Sequence, residues 1–452
     1  MTTTDSPRSS VSSASSTGSS LSSVPSKGAA SDGGLQAPAE RAGISWPMTS
    51  FFLLAQMAGA GFLSLPMALN NTGWLGAPMM VLLCAAVGLA GVCLGISWVI
   101  LEERWPEEYG NTVRQPYMDI AYRALGEPGR QVALWSVLLT IIGGTTVFII
   151  LMAQLTNAIT SALSTCEWVL VYGALLLPFT WLGTPKDFWQ ASVMAVGATI
   201  IACLVVFVML FVTHEDDPFI QYPNPTVSSF SLGFSSILFA FGGASVFPTV
   251  QNDMKDRTQF WKSVIGGFLG ALSLYLPVAA AGYGLLGSTV EGNILLSVGF
   301  SPVVKFAIVT EIINLLGTYI ISFNPMGQAF EEMLKIPSKF CVKRVAMRSS
   351  VVLIEVLICL AIPDFGLILN LVGGSTVTLS SFVLPPIMYM RLVDNADNPK
   401  WPKRSIPLWL RIALWEIVLI GIIGGVTSTV FAVIDILNPD SFGKSCFADF
   451  TP

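Results

Sequence analysis

Two glycine-rich segments hold the residues of this chain that are best suited to bind a small polar molecule. The first is AGAGFLSLP at 58–66, and the second is FAFGGASVFP at 239–248. If a helix unwinds from Gly59 to Gly61, backbone N–H groups and the positive end of the following half-helix become available, and both favour a carboxylate. Small residues at these positions also let a bound group approach the backbone closely.

The second segment offers the complementary chemistry. Unwinding at Gly242 and Gly243 would free carbonyl oxygens that accept hydrogen bonds from an ammonium group, and Ser245 adds a hydroxyl. Together the segments predict a site for a zwitterion; the alternative is that their small residues only let helices pack closely. The predicted binding residues are Gly59, Ala60, Gly61, Phe62, Phe241, Gly242, Gly243 and Ser245. Phe62 and Phe241, together with the neighbouring Phe239, would form an apolar wall or gate.

The composition indicates which elements must position these residues. The chain has 452 residues, of which 53% are hydrophobic and 11% are charged, and this balance indicates a membrane protein. In lipid, an interrupted helix is tolerated only where its freed backbone lines a cavity or faces protein. Runs of about 20 apolar residues predict an all-α polytopic protein with eleven spans. The spans are 46–70, 75–101, 134–160, 168–183, 190–212, 230–250, 263–286, 302–325, 349–363, 365–391 and 409–437.

The spans divide into two halves. Spans one to five cover about 46–212 and spans six to ten about 230–391, which predicts two repeats of similar length and leaves 409–437 as an extra helix. An odd number of spans per repeat inverts the second repeat relative to the first. Because each repeat opens with an interrupted span, the pattern predicts a secondary transporter whose substrate binds near the middle of the membrane.

Basic residues predict the orientation, because lysine and arginine accumulate on the cytoplasmic side of membrane spans. With the N-terminus inside, 21 of the 23 fall on that side. Residues 1–42 are rich in serine and are predicted to be a disordered cytoplasmic tail. The transporter domain is predicted at 43–437, and 438–452 form a short external or lumenal tail.

Cysteine and histidine usage limits the chemistry further. Of seven cysteines, only Cys166 and Cys446 are predicted to lie on the oxidising face, where they form either a disulfide or two unpaired thiols. With one histidine and no GxxxxGK[ST] loop, the chain can build neither a HExxH zinc site nor a nucleotide-hydrolysing loop. We expect no enzymatic activity, no metal and no cofactor. The expected partners are a small-molecule substrate and the lipid bilayer, and not nucleic acid.

Coupling to protons requires an ionisable group inside the membrane. Glu311 in the eighth span is the first choice, ahead of Glu355 and Asp435, for which a structural or interfacial role is favoured. The alternative for Glu311 is a structural carboxyl that is hydrogen-bonded to a hydroxyl such as that of Thr310.

Coupling to sodium would need oxygen ligands instead. Carbonyls near Ala58 and the hydroxyls of Ser64 and Thr318 are the candidates. A charged segment at 252–262, after the sixth span, predicts either a cytoplasmic gate closed by salt bridges or an ordinary charged turn.

These motifs resemble those of the amino acid/auxin permease family, and in particular its vesicular and vacuolar branch. The resemblance covers about 43–437. The motifs that carry it are GAGFLSLP at 59–66 with Gly73-Trp74, FAFGGASVFP at 239–248 with NDMK at 252–255, the stretch 324–332 and the stretch 384–386. Many family members have a histidine where this chain has Gly243 or Ala244, so no coupling role is carried over to that position.

The resemblance implies a leucine-transporter-type fold with broken helices 1 and 6. It also implies transport of amino acids across a plasma, vesicular, vacuolar or lysosomal membrane, driven by H⁺ or in some branches by Na⁺. Small residues at the site, and no basic residue in a span ready to pair a second carboxylate, predict small neutral amino acids or related zwitterions as substrates. The alternative is an amino-acid-binding membrane sensor of the same fold that signals through its cytoplasmic tail.

Overall fold

A computed structural model describes most of the chain. The described residues are 43–110, 113–181, 188–212, 220–337, 340–395, 398–399, 401–438 and 445–449, with the backbone alone for 188–191. The predicted disordered tail at 1–42 lies outside the described residues, as does most of the predicted tail at 438–452. The described part is helical, and its only β contact is an isolated bridge between Ile44 and Met254.

The helices are numbered α1 to α17 in chain order. They are α1 (Trp46–Met57), α2 (Leu65–Thr72), α3 (Gly76–Arg104), α4 (Pro106–Tyr109), α5 (Pro116–Ile159), α6 (Thr165–Trp181), α7 (Phe188–Val212), α8 (Val227–Ala240), α9 (Phe247–Asn252), α10 (Phe260–Leu286), α11 (Ile294–Ser297), α12 (Pro302–Met333), α13 (Val342–Ala361), α14 (Phe365–Val372), α15 (Leu384–Asp394), α16 (Leu408–Leu437) and α17 (Cys446–Asp449). Within the described residues, eight helical segments are long and apolar enough to cross a membrane, and α6 is a shorter apolar helix. The chain is therefore an all-α polytopic membrane protein; the count of eleven spans stays a prediction.

Several helices extend beyond the apolar runs that predict them. Helix α5 begins at Pro116, well before the predicted start at 134. Its first part carries Asp119 and Arg123, so hydropathy does not detect it. Gly126, with φ of 74°, interrupts the helical geometry between this polar part and the apolar part.

Both predicted interruptions are present, and a third irregular stretch is not anticipated by the sequence. A 3₁₀ turn at Ala60–Ser64 separates α1 from α2, and another at Ala244–Val246 precedes α9. Between α14 and α15 the chain forms a π-helix at Gly373–Val383, a rare conformation that often occurs at functional sites.

Helix packing encloses the two interruptions. Helix α1 packs against α10 and α7, and α2 packs against α8 and α10. The π-helix packs on α8 and α16, while α5 contacts both 3₁₀ turns. The first interruption lies against α5, α8 and α11, and the second lies against α3, α5 and the π-helix.

Candidate functional site

The first break follows the end of α1 at Met57. Ala58 leaves the helical region with ψ of 82°, and Gly59 is also non-helical, with φ of −155° and ψ of −148°. The 3₁₀ turn then leads into α2, whose first turn contains Pro66. Proline suits this position because its missing N–H would have had no partner inside the helix. The first N–H groups after the break also have no partner inside a helix, which leaves them available to a ligand.

The second break follows the end of α8 at Ala240. Gly243 has φ of 119°, in the left-handed region that favours glycine. Helix α9 begins four residues later and has Pro248 in its first turn. The two breaks therefore share one local pattern, in which glycine ends a half-helix and proline starts the next.

The two breaks touch each other through Gly61. A Cβ atom added to Gly61 would lie 2.5 Å from the Cα atom of Ala240, and one added to Gly242 would lie 2.7 Å from Cγ1 of Val377 in the π-helix. Neither position has room for a side chain. For these two glycines, the structure supports close packing, which was the alternative to a binding role.

Gly59 and Gly243 have different surroundings. A Cβ atom on Gly59 would meet only the Phe148 ring of α5, at 3.7 Å, and one on Gly243 would meet no described atom within 4 Å. The N–H of Gly243 also donates to the Ser381 hydroxyl, at 3.4 Å. We refer to the space beside Gly59, next to Phe148, and the space beside Gly243, next to Ser381, together as the central gap. Neither Phe148 nor Ser381 is identified by the sequence, because each comes from a distant part of the chain.

Phe62 and Phe241 are fully buried in an aromatic cluster around Tyr275 of α10. Their ring centroids lie 6.1 and 5.8 Å from that of Tyr275. The Tyr275 hydroxyl donates to the Met57 carbonyl at 2.8 Å, so the cluster supports the first break from behind. A role for either phenylalanine as a wall for a ligand would require its ring to move.

The other predicted binding residues are also buried. Ala60 lies in the first 3₁₀ turn, and Ser245 lies in the second with 9% of its surface exposed. The hydroxyl of Ser64 donates to the Gly61 carbonyl at 2.9 Å. This bond stabilises the first 3₁₀ turn.

Glu311 on α12 is fully buried in a ladder of polar side chains. Asn314 donates through Nδ2 to Oε1 of Glu311 at 3.4 Å, and the Thr318 hydroxyl donates to Oδ1 of Asn314 at 3.3 Å. The other carboxyl oxygen of Glu311 has no hydrogen-bond partner among the described residues. Spacings of three and four residues place these side chains on one face of the helix, a signal that could have identified Asn314 from the sequence.

Thr310 is not the partner of Glu311, and that part of the alternative reading is wrong. The Thr310 hydroxyl is exposed and donates to the Phe306 carbonyl of its own helix, at 2.9 Å. The partner of Glu311 is the Asn314 amide, three residues further along the same helix.

Glu355 on α13 is equally buried, but both of its oxygens have partners. The Thr145 hydroxyl donates to Oε1 and the Tyr319 hydroxyl donates to Oε2, each at 2.6 Å. This carboxyl ties α13 to α5 and α12, which agrees with a structural role. Asp435 lies near the end of α16 and is partly exposed.

The oxygen atoms considered as sodium ligands are engaged within the protein. The Met57 carbonyl, next to Ala58, accepts hydrogen bonds from the Gly59 N–H at 2.9 Å and from the Tyr275 hydroxyl at 2.8 Å. The hydroxyls of Ser64 and Thr318 each donate within their own element. Among the described residues there is no group of three or more metal-ligating side chains.

The end of the bundle that is predicted to face the cytoplasm is closed by backbone pairing. The Ile44 N–H donates to the Asp253 carbonyl at 2.9 Å, and the Lys255 N–H donates to the Ile44 carbonyl at 3.0 Å. Arg257 forms an ion pair with Glu102 of α3. The segment before α1 is thereby fixed to the charged segment after α9.

The two aspartates of that charged segment lie in different environments. Burial raises the pKa of the Asp253 carboxyl. Hydrogen bonds from the Thr258 hydroxyl and the Gln259 amide lower the pKa of Asp256. Asp256 therefore stays ionised and holds the turn that leads into α10.

Cys166 and Cys446 form a disulfide, with their Cα atoms 5.6 Å apart. The bond joins the first turn of α6 to α17. The Ser445 hydroxyl donates to the Leu360 carbonyl at 3.2 Å, which attaches the same segment to the end of α13.

Comparison with known proteins identifies relatives over most of the chain. Residues 42–434 match the family described as "Transmembrane amino acid transporter protein". The chain is 26% identical over 359 residues to the amino acid transporter AVT1B of Arabidopsis thaliana, a match that covers 76% of this chain and 64% of the relative. It is 27% identical over 364 residues to AVT1H of the same organism, covering 75% of this chain and 80% of the relative. The match to AVT1B thus spans less than two thirds of that protein.

Solved structures show the same fold. A mutant of the Eremococcus coleocola manganese transporter superposes with a TM-score of 0.56 at 14% identity, covering 89% of this chain and 90% of that one. An inward-facing structure of Mhp1 superposes with a TM-score of 0.52 at 13% identity, covering 90% and 94%. These similarities confirm the predicted leucine-transporter-type fold, with its inverted repeats and its two broken helices.

Proposed function

Because the chain belongs to the transmembrane amino acid transporter family, we propose that it is a secondary active transporter of small neutral amino acids or related zwitterions. The observation that carries this proposal is the central gap. The two broken helices touch at Gly61 and Ala240, and Gly59 and Gly243 each leave space beside an interrupted backbone. The named relatives are transporters and not enzymes, and nothing in them supports the alternative of a sensor.

In the proposed binding mode, the two breaks recognise opposite ends of the substrate. The N–H group of Ala60 precedes α2 and binds the carboxylate, helped by the positive end of that helix. The carbonyl end of α8 and the hydroxyl of Ser245 bind the ammonium group. Neither glycine-rich segment contains a lysine or an arginine. This absence favours substrates without a second carboxylate.

We propose that protons drive transport through Glu311. A fully buried carboxyl with one partnerless oxygen is costly to keep ionised. It therefore favours protonation when the site is closed and releases the proton when water enters. We propose that a change of charge at Glu311 acts on the first break through Tyr275 of α10, whose hydroxyl donates to the Met57 carbonyl.

Alternating access then moves the interrupted helices as a unit around the gap. Opening toward the cytoplasm requires the pairing between Ile44 and the 253–255 backbone to separate, together with the ion pair of Arg257 and Glu102. We propose a vesicular or vacuolar membrane as the site of action, with the N-terminus in the cytoplasm. The disulfide then lies on the lumenal face.

The test of transport is uptake of radiolabelled amino acids by proteoliposomes that carry either a pH gradient or a sodium gradient. We expect accumulation with the pH gradient, and its loss in Gly59→Val, where the added methyl groups fill the gap. Gly197→Val on α7 is the matched control, because a Cβ atom there meets no described atom within 4 Å. Accumulation that Gly59→Val leaves intact contradicts a substrate site at the first break.

The two buried carboxyls provide the test of coupling. We expect Glu311→Gln to lose at least about tenfold of pH-driven accumulation, equivalent to about 1.4 kcal/mol, while it still exchanges labelled for unlabelled substrate. Glu355→Gln replaces a carboxyl whose two oxygens both have hydrogen-bond partners. The amide has the same shape, and we expect this variant to retain coupling. Equal losses in both variants would show that burial alone, and not the partnerless oxygen, determines the effect.

A further inference from the structure

A polar cavity of about 410 Å³ lies apart from the central gap, at the end of the bundle where α5 ends and α14 begins. We refer to it as the outer cavity. Its lining includes Gln154 and Asn157 of α5, Glu291 and Asn293 before α11, and Asp364 before α14. Its volume is ample for a single amino acid.

The charge of the outer cavity favours a cation. Glu291 and Asp364 line it, and no lysine or arginine is among its described lining residues. One Asp364 oxygen accepts from the N–H groups of Gly366 and Leu367, at 2.8 and 3.2 Å, which fixes the carboxylate at the start of α14. Two carboxylates without a third ligand suit an ammonium group better than a metal ion, and no metal-type cluster exists among the described residues.

The same cavity offers a buried donor that lacks a partner. Asn293 is 2% exposed, and its Oδ1 accepts from the Leu295 N–H at 3.0 Å. That bond caps α11 and fixes the orientation of the amide. Its Nδ2 has no hydrogen-bond partner among the described residues. Buried donors are rarely left unpaired, and a carboxylate would satisfy this one.

The outer cavity is offset from the central gap along α5. Gln154 is six residues beyond Phe148 on α5, a rise of about 9 Å along the helix. Helix α11 contacts the 3₁₀ turn at Ala60–Ser64, and its Leu296 lines the cavity, so this short helix borders both. Thr165 also lines the cavity, next to the disulfide at Cys166. This is the side predicted to be external or lumenal.

We propose that the outer cavity is a second amino acid site, which holds substrate before it enters the central gap. The ammonium group lies between Glu291 and Asp364, and the carboxylate accepts from Nδ2 of Asn293. This inference rests on the proposed function, because it takes amino acids as the substrates. It predicts that one chain binds two amino acid molecules at once.

The test counts bound molecules on the purified full chain in nanodiscs, with a saturating ¹⁴C-labelled mixture of the protein amino acids as probe. Asn293→Asp keeps the Oδ1 cap of α11 but replaces the donor by an acceptor. The double variant Glu291→Gln with Asp364→Asn removes both charges and keeps the cap of α14. Glu167→Gln is the control, since this carboxylate caps the start of α6 and does not line the cavity.

We expect two molecules per chain in the wild type and in Glu167→Gln, and one in each outer-cavity variant. Gly59→Val is also expected to bind one molecule, and Gly59→Val combined with Asn293→Asp none. A single molecule in the wild type, or two in Asn293→Asp, overturns the second site. Uptake of the same mixture by the same preparation separates the two proposals. Intact uptake with one bound molecule refutes only the outer cavity, whereas two bound molecules without uptake refute the transporter.

A kinetic measurement distinguishes a holding site from a structural role. At low ionic strength we expect the double variant to raise KM by up to about tenfold through lost attraction of the ammonium group, with the maximal rate unchanged. The increase should shrink at high salt. A fall in the maximal rate at unchanged KM contradicts a holding site.

Discussion

The two helix breaks have similar sequences but depend on glycine for different reasons. In the first break, Gly59 has a negative φ of −155°, and Gly61 is required for its small size because it packs on Ala240. In the second break, Gly243 is required for its conformation, since its φ of 119° disfavours a side chain although the space around it is open. A side chain at Gly61 should therefore disrupt packing, whereas a side chain at Gly243 should disturb the backbone conformation.

The four glycines of the two breaks have two separate roles, close packing and formation of the central gap. Gly61 and Gly242 bring the two breaks and the π-helix together, whereas Gly59 and Gly243 face the central gap. A packing glycine is expected to affect folding, and a gap glycine is expected to affect transport. Melting temperature and uptake, measured on the same variant, separate the two tasks.

The largest effect is expected for Gly61→Ala. The added Cβ atom would lie 2.5 Å from the Cα atom of Ala240, and backbone must shift to admit it, at a cost of about 1–3 kcal/mol. We expect a lower melting temperature of the purified protein and reduced uptake in proportion to the folded fraction. Gly197→Ala serves as the control. An unchanged melting temperature for Gly61→Ala would show that the breaks are not closely packed.

Gly243→Ala is expected to give the next largest effect. Alanine fits the open space but not the backbone conformation, which costs about 1–2 kcal/mol. If the second break relaxes to avoid this cost, the carbonyl groups turn away from the ammonium group, and uptake falls by about tenfold. Thermal unfolding should change less than for Gly61→Ala. Full activity with full stability would contradict the need for a left-handed residue.

Gly59→Ala is expected to have the smallest effect. Its Cβ atom would make an ordinary contact with the Phe148 ring at 3.7 Å, so stability should not change. The methyl group narrows the central gap, and we expect KM to rise more for larger substrates than for glycine in a comparison of initial uptake rates. A loss of stability would instead place Gly59 with the packing glycines.

The sequence predicts the fold and both breaks because their signals are local. Apolar runs of span length indicate the helices, and glycine followed by proline marks each interruption. Glu311 is likewise visible as a carboxyl in an apolar helix. The polar start of α5 is missed because hydropathy detects only its apolar part.

The sequence does not show which glycines pack and which face the central gap, because these roles depend on contacts with distant parts of the chain. Gly61 meets Ala240 from the other repeat, and Gly242 meets Val377 in a π-helix that no pattern predicts. The structural role of Glu355 likewise rests on its hydrogen bond with Thr145, which lies 210 residues away in the sequence. Only the folded chain brings these partners together.

The most direct test of the central claim is the structure of the nanodisc-embedded chain with a transported amino acid bound at saturation. We predict density for the ligand in the central gap between Gly59 and Gly243. A carboxylate oxygen should lie about 2.7–3.2 Å from a backbone nitrogen of the first 3₁₀ turn, and the ammonium group should face the second break. Density that contacts neither break, with the central gap empty, would contradict the account.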